Sequence, residues 1–261
     1  MVSRQATRKA PKTQTKRHRK KRELLSDNYW DVTHRPLQCL VFLLPLVLAY
    51  EIGMALLHGQ TPIEEQPGLA ARQLLQWFFS LFGVKGLYLP GIAVVVVLLI
   101  WQIVSDYPWR FSWHYLVGMA GESILLAMPL LLLNELIRRS SALSGVLVPG
   151  TSAFDNLLLS VGAGIYEELV FRLIIVTLLT VLLIDIGGLK QTPGIALTVI
   201  LSSLMFAAHH YAPVGADGWS SSEFAFRAAA GAYLAAVFVV RGFGLAVGCH
   251  VFYDIIAFAM P

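Results

Sequence analysis

The sequence predicts an all-α fold, a polytopic bundle of about seven to eight transmembrane helices. Of its 261 residues, 56% are hydrophobic and only 14% are charged, whereas soluble domains usually carry about 25% charged residues. Several apolar runs approach or exceed the length of about 18 residues that spans a bilayer as a helix. Composition and run length therefore indicate an integral membrane protein, and the chain is too short to add a large soluble domain.

Residues 1–35 are predicted to form a basic, disordered cytoplasmic tail and a polar juxtamembrane stretch. Residues 1–22 hold ten Lys/Arg and no Asp/Glu, while the rest of the chain carries ten Lys/Arg against 16 Asp/Glu, a net charge of −6. With so many like charges, residues 1–22 cannot build a hydrophobic core. Positive charge beside the first span favours a cytoplasmic N-terminus and contact with anionic lipid. Nucleic acid is not an expected partner, because no aromatic residue interleaves these charges.

Residues 36–150 are predicted to hold the N-terminal spans. The first runs from Leu37 to Leu57 and is interrupted by Pro45. Residues 69–82 have mixed polarity and are too short to span, so they are expected to lie in the interface or to re-enter the membrane; if they do span, they are the eighth crossing. If the segment lies in the interface, its aromatic residues would anchor it there.

Six further apolar runs complete the predicted bundle. The run 154–186 is longer than one crossing requires, so we expect it to tilt or bend. The sidedness stays open, because seven spans after a cytoplasmic N-terminus place Arg138 and Arg139 outside, against the positive-inside tendency. The six runs are Leu87–Val104, Trp113–Leu136, Phe154–Ile186, Gly194–His210, Glu223–Val240 and Phe243–Met260.

Two adjacent carboxylates and an arginine interrupt the run 154–186. A charged side chain near the bilayer centre costs roughly 2.5–3.5 kcal/mol, so three within six residues need a reason. Glu168 and Arg172 are i,i+4 neighbours and can neutralise each other. Glu167 points about 100° away on the same helix and lacks that partner. A buried, unpaired carboxylate suits a general base, although a structural ion pair with a spare glutamate facing water is the alternative.

Histidines and an aspartate recur at helical spacing in two later spans. Phe206, His209 and His210 close one span, and His250 and Asp254 lie one turn apart in the last. Together with the glutamates they predict a shared polar site within residues 151–261.

Such a site can hydrolyse a peptide bond. A neutral histidine and a glutamate can hold and deprotonate water, while a second histidine with its aspartate stabilises an oxyanion. Alternatively, Glu167, His210 and His250 could ligate a divalent metal such as zinc, although no metal is assigned. Glu51 and Glu122, also inside predicted spans, either line the same cavity or pair with a neighbouring helix.

Other intramembrane hydrolases fit less well. The chain has no HExxH, which argues against a zincin-type protease. Gly150-Thr151-Ser152 lies in a predicted loop, whereas a rhomboid-like protease needs an embedded serine. A presenilin-like enzyme needs two membrane aspartates, and only Tyr253-Asp254 resembles one of its motifs. A proton-coupled transporter is disfavoured because no internal repeat of that kind is visible.

These motifs resemble the three-part signature of the CPBP family, the type II CAAX prenyl endopeptidases and bacteriocin-processing or immunity proteins, also called the abortive-infection family. The resemblance covers roughly residues 150–261, and three motifs in order are far more specific than one. The motifs are Glu167-Glu168-x-x-x-Arg172, Phe206-x-x-x-His210 and His250-x-x-x-Asp254.

The resemblance implies a role for each matched residue. Glu167 corresponds to the catalytic glutamate that activates water, with His210 beside it. Glu168 and Arg172 correspond to the supporting pair, and His250 to the oxyanion-stabilising histidine.

Two positions need separate comment. Asp254 stands where the family has Asn or Asp, and because an ionised Asp cannot donate a hydrogen bond, it is expected to orient His250. His209 departs from the pattern and makes the register ambiguous, although Phe206 at i−4 favours His210, with His209 as the alternative.

The sequence therefore predicts an intramembrane endopeptidase acting on a membrane-associated protein or peptide. The rival is a non-proteolytic immunity or scaffold protein, since the family contains such members. The absence of a clear eukaryotic targeting signal favours a prokaryotic plasma membrane. The identity and prenylation of the substrate, the dependence on metal and the oligomeric state stay open.

Overall fold

The computed structural model describes residues 28–58, 69–140 and 152–260. Within these ranges the chain forms nine helices and no β-strand, which confirms the predicted all-α fold. Most of the basic tail, the loop with Glu64 and Glu65, and nearly all of the predicted loop 140–151 lie outside the described residues.

The helices are numbered α1 to α9 in chain order. Five of them are long and apolar enough to cross a membrane (α2, α5, α6, α7 and α8), and α4 and α9 are shorter apolar helices. These seven match the seven predicted spans, with ends shifted by a few residues. The bounds are Tyr29–Val32 (α1), Pro36–His58 (α2), Ala70–Ser80 (α3), Leu89–Val104 (α4), Trp113–Ser140 (α5), Ala153–Ile186 (α6), Gln191–Ala208 (α7), Ser221–Arg241 (α8) and Phe243–Ala259 (α9).

Helix α3 does not cross the bundle. The backbone N–H of Leu37, at the start of α2, donates to the side-chain oxygen of Gln102, at the end of α4, over 3.0 Å. Glu51, near the end of α2, packs against Gly91 at the start of α4. Helices α2 and α4 are therefore antiparallel neighbours, and the chain between them starts and ends on one side. This arrangement favours an interfacial α3, with Trp77 exposed, over an eighth crossing.

Helix α6 carries the charged motif and departs from α-helical geometry within it, directly after Glu168. A capping box between Ser152 and Asp155 satisfies the first turn. The α-helical part ends at Glu168, and two π-helical stretches follow at Leu169–Val176 and Val181–Ile186. The run that was expected to tilt or bend thus contains two stretches of wider helical turns, which occur frequently at functional sites.

Small residues bring the helices of the site together. A Cβ atom on Gly164 of α6 would lie only 2.9 Å from the backbone nitrogen of Val251 in α9. Likewise, a Cβ on Gly231 of α8 would lie 3.1 Å from the Cα of Ser203 in α7. Glycine at these crossings permits the close backbone approach that membrane helices use for packing.

The corner between α8 and α9 is held by a cluster that we call the N-terminal latch, formed by Tyr29, Trp30, Glu122 and Arg241. The guanidinium of Arg241 donates to both oxygens of Glu122, over 2.5 and 2.8 Å, and lies 3.8 Å from the Trp30 ring centroid. The Tyr29 hydroxyl donates to the same carboxylate over 2.5 Å. Glu122 thus pairs with a neighbouring helix instead of lining a cavity with the motif residues.

Candidate active site

The structure brings the motif residues of α6, α7 and α9 into one buried cluster. Glu167 and Glu168 end the α-helical part of α6, His209 and His210 directly follow α7, and His250 lies in the middle of α9. Glu168 is fully buried and Glu167 is 6% exposed. A buried charge needs partners or hydrogen bonds, so the contacts of each carboxylate indicate what it can do.

Glu168 is the structural carboxylate of the pair, and it has two partners. Its Oε2 lies 3.0 Å from Nε of Arg172, as the i,i+4 spacing predicts. Its Oε1 lies 2.8 Å from Nδ1 of His250. The arginine also donates to the carbonyl of Gly231 over 3.3 Å and stacks over the Phe206 ring at 4.3 Å. Glu168 therefore fixes the orientation of His250 as well as neutralising Arg172.

Among the described residues, Glu167 has no arginine partner and faces three imidazoles. Its Oε1 lies 3.6 Å from Nε2 of His209 and 4.0 Å from Nε2 of His210, and its Oε2 lies 3.9 Å from Nε2 of His250. All three distances exceed a direct hydrogen bond. The arrangement leaves room for a small bridging species such as water between the carboxylate and the histidines.

The backbone carbonyl of Phe206 fixes the tautomer of both adjacent histidines. Nδ1 of His209 is hydrogen-bonded to this oxygen, and Nδ1 of His210 lies 3.0 Å from it. Because a carbonyl only accepts, each Nδ1 carries the hydrogen, and in the neutral ring the Nε2 lone pair faces Glu167. His210 lies just beyond the end of α7, where burial lowers the pKa of its imidazole to about 4, so it is neutral at pH 7.

His209 belongs to the cluster together with His210. From the sequence, His209 was the alternative to His210 as the motif histidine. In the structure both rings face the Glu167 carboxylate, and His209 is the nearer and the more buried of the two. The turn after α7 allows this, because consecutive residues need not point in directions about 100° apart once the helix has ended.

His250 is held from both of its nitrogens. Glu168 accepts from Nδ1, while Nε2 lies 3.5 Å from Oδ2 of Asp254 and 3.9 Å from Glu167. Asp254 therefore lies near His250, but Glu168 makes the shorter contact with the ring. As an imidazolium, His250 would donate from Nε2 toward the space beside Glu167.

Glu167, His209 and His210 are the described residues that could hold a metal ion, since their ligand atoms all lie within 4.8 Å of one another. The zinc set expected from the sequence contained His250 in place of His209. His250 is instead held by Glu168.

A second buried polar group adjoins the cluster and was only partly visible in the sequence. The hydroxyl of Tyr166, next to Glu167, donates to Glu51 of α2. The other oxygen of Glu51 lies 3.9 Å from Arg72, which α3 inserts into the bundle and which donates to the carbonyl of Leu87 over 2.8 Å. The mixed polarity of residues 69–82 drew attention to the segment that contains Arg72. Nothing in the sequence indicated that Arg72 lies opposite Glu51.

Comparison with known proteins supports the resemblance seen in the motifs. Residues 149–256 match the family model described as type II CAAX prenyl endopeptidase Rce1-like. No curated protein and no solved structure matches the chain. The matched stretch begins just before α6 and ends within α9, so it contains every residue of the buried cluster. This C-terminal region is therefore similar to the CPBP, or CAAX-protease-like, family.

Proposed function

We propose that the protein is an intramembrane endopeptidase in which Glu167 activates a water molecule to attack a peptide bond. The observation that carries this proposal is the environment of Glu167, a buried carboxylate that faces three imidazoles at 3.6 to 4.0 Å and has no arginine partner in the part of the chain that the structure describes. These separations suit a water held between the carboxylate and neutral ring nitrogens. A structural ion pair would bring its charged partners into direct contact, as Glu168 and Arg172 do.

The contacts suggest a division of roles within the cluster. Glu167 takes the proton of the water, and the neutral His210, whose side chain is 21% exposed, lies where substrate or water can enter. His250, oriented by Glu168, is placed to donate from Nε2 to the oxyanion of the tetrahedral intermediate. Asp254, 3.5 Å from that nitrogen, helps to orient the ring.

The substrate proposed for this site is a protein or peptide associated with the membrane. The cluster lies among helices α6, α7, α8 and α9, of which three are long enough to span a bilayer. A plasma membrane of a prokaryote, with the N-terminus in the cytoplasm, is the proposed location. The basic N-terminal sequence supports this orientation.

The test compares protein termini in membranes from cells that express wild type, Glu167→Gln, His210→Ala or the control His114→Ala. His114 is exposed and lies at the start of α5, so its loss removes an imidazole without touching the cluster. New termini should appear with wild type and His114→Ala and be lost with Glu167→Gln, which keeps the shape of the side chain but removes the base. Folded levels are matched by size-exclusion chromatography.

An active Glu167→Gln protein would refute the proposal. Identical termini in all four strains, with a cellular effect retained by the mutants, would favour the immunity or scaffold role instead.

A further inference from the structure

Two hydrogen-bond donors lie unpaired beside the buried cluster, where α8 packs against α9. They are Nη1 of Arg227 and the hydroxyl of Tyr253, and both atoms are buried without a hydrogen-bond partner in the part of the chain that the structure describes. We propose that these two donors bind a main-chain carbonyl group of the peptide substrate, next to the bond that is cleaved. The inference rests on the proposed function and names the residues that hold its substrate.

Partly exposed side chains show where the cluster opens. The side chains of His210 and Asp254 are each 21% exposed, and that of Arg227 is 20% exposed. The side chains of Glu167 and His209, at the centre of the cluster, are exposed by only 8% and 5%. A substrate that approaches Glu167 from outside therefore passes the three more exposed side chains.

Arg227 lies close to His210 on one side and to Tyr253 on the other. Burial is the largest cause of the low pKa of His210, and the charge of Arg227 is among those that lower it further, so the guanidinium is near this imidazole. The guanidinium also lies 5.3 Å from the ring centroid of Tyr211, which follows His210. The Tyr253 hydroxyl interacts electrostatically with both Arg227 and Asp254. Both donors thus adjoin the opening.

The other arm of the Arg227 guanidinium is already occupied. Its Nη2 lies 2.7 Å from Oδ2 of Asp217 and 3.7 Å from Oε2 of Glu223. Because the guanidinium is planar and rigid, these contacts also fix the direction of Nη1. A buried donor without a partner is rare in native proteins and calls for an explanation, and a bound substrate supplies one.

Tyr253 presents the second donor from α9. Its ring packs against Phe226 of α8, with 6.2 Å between the ring centroids, and the residue is 7% exposed. Tyr253 and His250 are i,i+3 neighbours on α9, so their side chains lie on one face of the helix. A donor beside the histidine proposed to bind the oxyanion suits the carbonyl of an adjacent peptide unit.

The charges around Arg227 favour a neutral acceptor. Asp217 and Glu223 already place two carboxylates against one guanidinium. A further carboxylate, such as the C-terminus of a substrate, would be repelled by this negative charge. A main-chain carbonyl can accept two hydrogen bonds and adds no charge. Every residue of a peptide carries one, so the two donors would hold the substrate without reading its side chains.

The first test measures thermal unfolding of the free protein in detergent micelles. Tyr253→Phe removes a hydroxyl that has no partner among the described residues, so the midpoint should shift no more than in Tyr88→Phe, where the tyrosine is exposed. Tyr166→Phe loses a hydrogen bond to Glu51 and should unfold at a lower temperature. A Tyr253→Phe protein as unstable as Tyr166→Phe would overturn the proposal.

The second test measures cleavage of a synthetic peptide that spans the site found by comparing protein termini. Arg227→Lys keeps a positive charge opposite Asp217 but loses the second arm of the guanidinium. We expect kcat/KM to fall about 10- to 100-fold in Arg227→Lys and about 3- to 10-fold in Tyr253→Phe, mainly through KM. Arg110→Met and Tyr88→Phe remove similar groups at exposed positions and should keep wild-type values.

The same peptide with an amidated C-terminus tests the choice of acceptor. If the donors bind a main-chain carbonyl, Arg227→Lys should weaken cleavage of the amide and of the free acid equally. An effect of Arg227→Lys that disappears with the amide would assign the guanidinium to the C-terminal carboxylate and overturn the proposal.

The two proposals can fail separately. Wild-type KM values in folded Arg227→Lys and Tyr253→Phe proteins, with cleavage lost in Glu167→Gln, would reject the donor pair and keep the peptidase. If wild type produces no new termini, the peptidase is rejected, and the donor pair is rejected with it.

Discussion

Replacing Arg172 with methionine should destabilise the protein strongly. The arginine is fully buried, its Nε lies 3.0 Å from Glu168, and it also reaches the Gly231 carbonyl over 3.3 Å. Methionine fills most of the volume but leaves the Glu168 carboxylate with His250 alone. Breaking one side of a buried ion pair typically costs about 3–5 kcal/mol, because the remaining charge is uncompensated. We expect a loss of this size in the free energy of unfolding for Arg172→Met.

The double variant Arg172→Met/Glu168→Gln isolates the cause. The glutamine carbonyl can still accept the hydrogen from Nδ1 of His250. Both charges of the Glu168–Arg172 pair are removed together, so neither of them is left without its partner. The double variant should therefore be more stable than Arg172→Met, which is a strongly non-additive cycle. Unfolding in micelles, followed by intrinsic fluorescence, measures each corner of the cycle.

Arg227→Met is the matched control. Arg227 also has a carboxylate partner, Asp217 at 2.7 Å, but that pair is partly exposed, and its loss should cost at most about 1 kcal/mol. The reasoning fails if Arg172→Met costs no more than this control, or if the double variant loses the sum of the two single effects.

Three further changes probe the helix contacts that position the site. Gly164→Ala places a Cβ 2.9 Å from the backbone nitrogen of Val251 and should destabilise by about 1–3 kcal/mol while lowering cleavage, because α9 must move. Tyr166→Phe removes the donor to the buried Glu51 and should cost about 1–3 kcal/mol in thermal unfolding. Glu122→Gln removes the charge of the N-terminal latch and should cost a similar amount, with more rapid proteolysis near residue 28.

The first two changes each have a control at a comparable but unconstrained position. Gly121→Ala lies in α5 with nothing within 4 Å of its Cβ and should be neutral or stabilising, since alanine favours helix. Tyr88→Phe removes the hydroxyl of an exposed tyrosine and should change the unfolding free energy by under about 0.5 kcal/mol. A Gly164→Ala protein as stable and active as Gly121→Ala would show that the α6–α9 crossing does not require glycine.

Packing explains why α3 was ambiguous in the sequence. Its length and mixed polarity favoured an interfacial helix or a re-entrant segment, with an eighth crossing as the alternative. The antiparallel contact of α2 with α4 decides against a crossing, because both ends of the intervening chain lie on one side. Arg72, which belongs to this segment of mixed polarity, is 3% exposed and lies 3.9 Å from Glu51. A polar residue in a short helix does not reveal its partner, because the partner lies on another helix.

The sequence by itself determined the membrane class and the seven apolar helices, and it singled out most residues of the buried cluster. Long apolar runs are sufficient to predict the membrane class and the seven helices, because the bilayer sets the length of a spanning helix. The cost of burying charge in lipid is what singles out the cluster residues, since charged or polar side chains are rare inside apolar helices. It makes four residues conspicuous: Glu167, Glu168, Arg172 and His250. The i,i+4 pairing of Glu168 with Arg172 also followed from helical spacing alone.

Only the tertiary structure decided which group each member contacts. His250 is held chiefly by Glu168, although Asp254 is its neighbour on the helix, and His209 joins His210 opposite Glu167. Spacing along one helix fixes neighbours within that helix, whereas contacts between helices depend on their rotation and depth. Here those are set by the glycine crossings, by the π-helical turns after Glu168 and by the turn that ends α7. None of these features produces a periodic pattern in the sequence. The contacts within the cluster can therefore be assigned only from the packed structure.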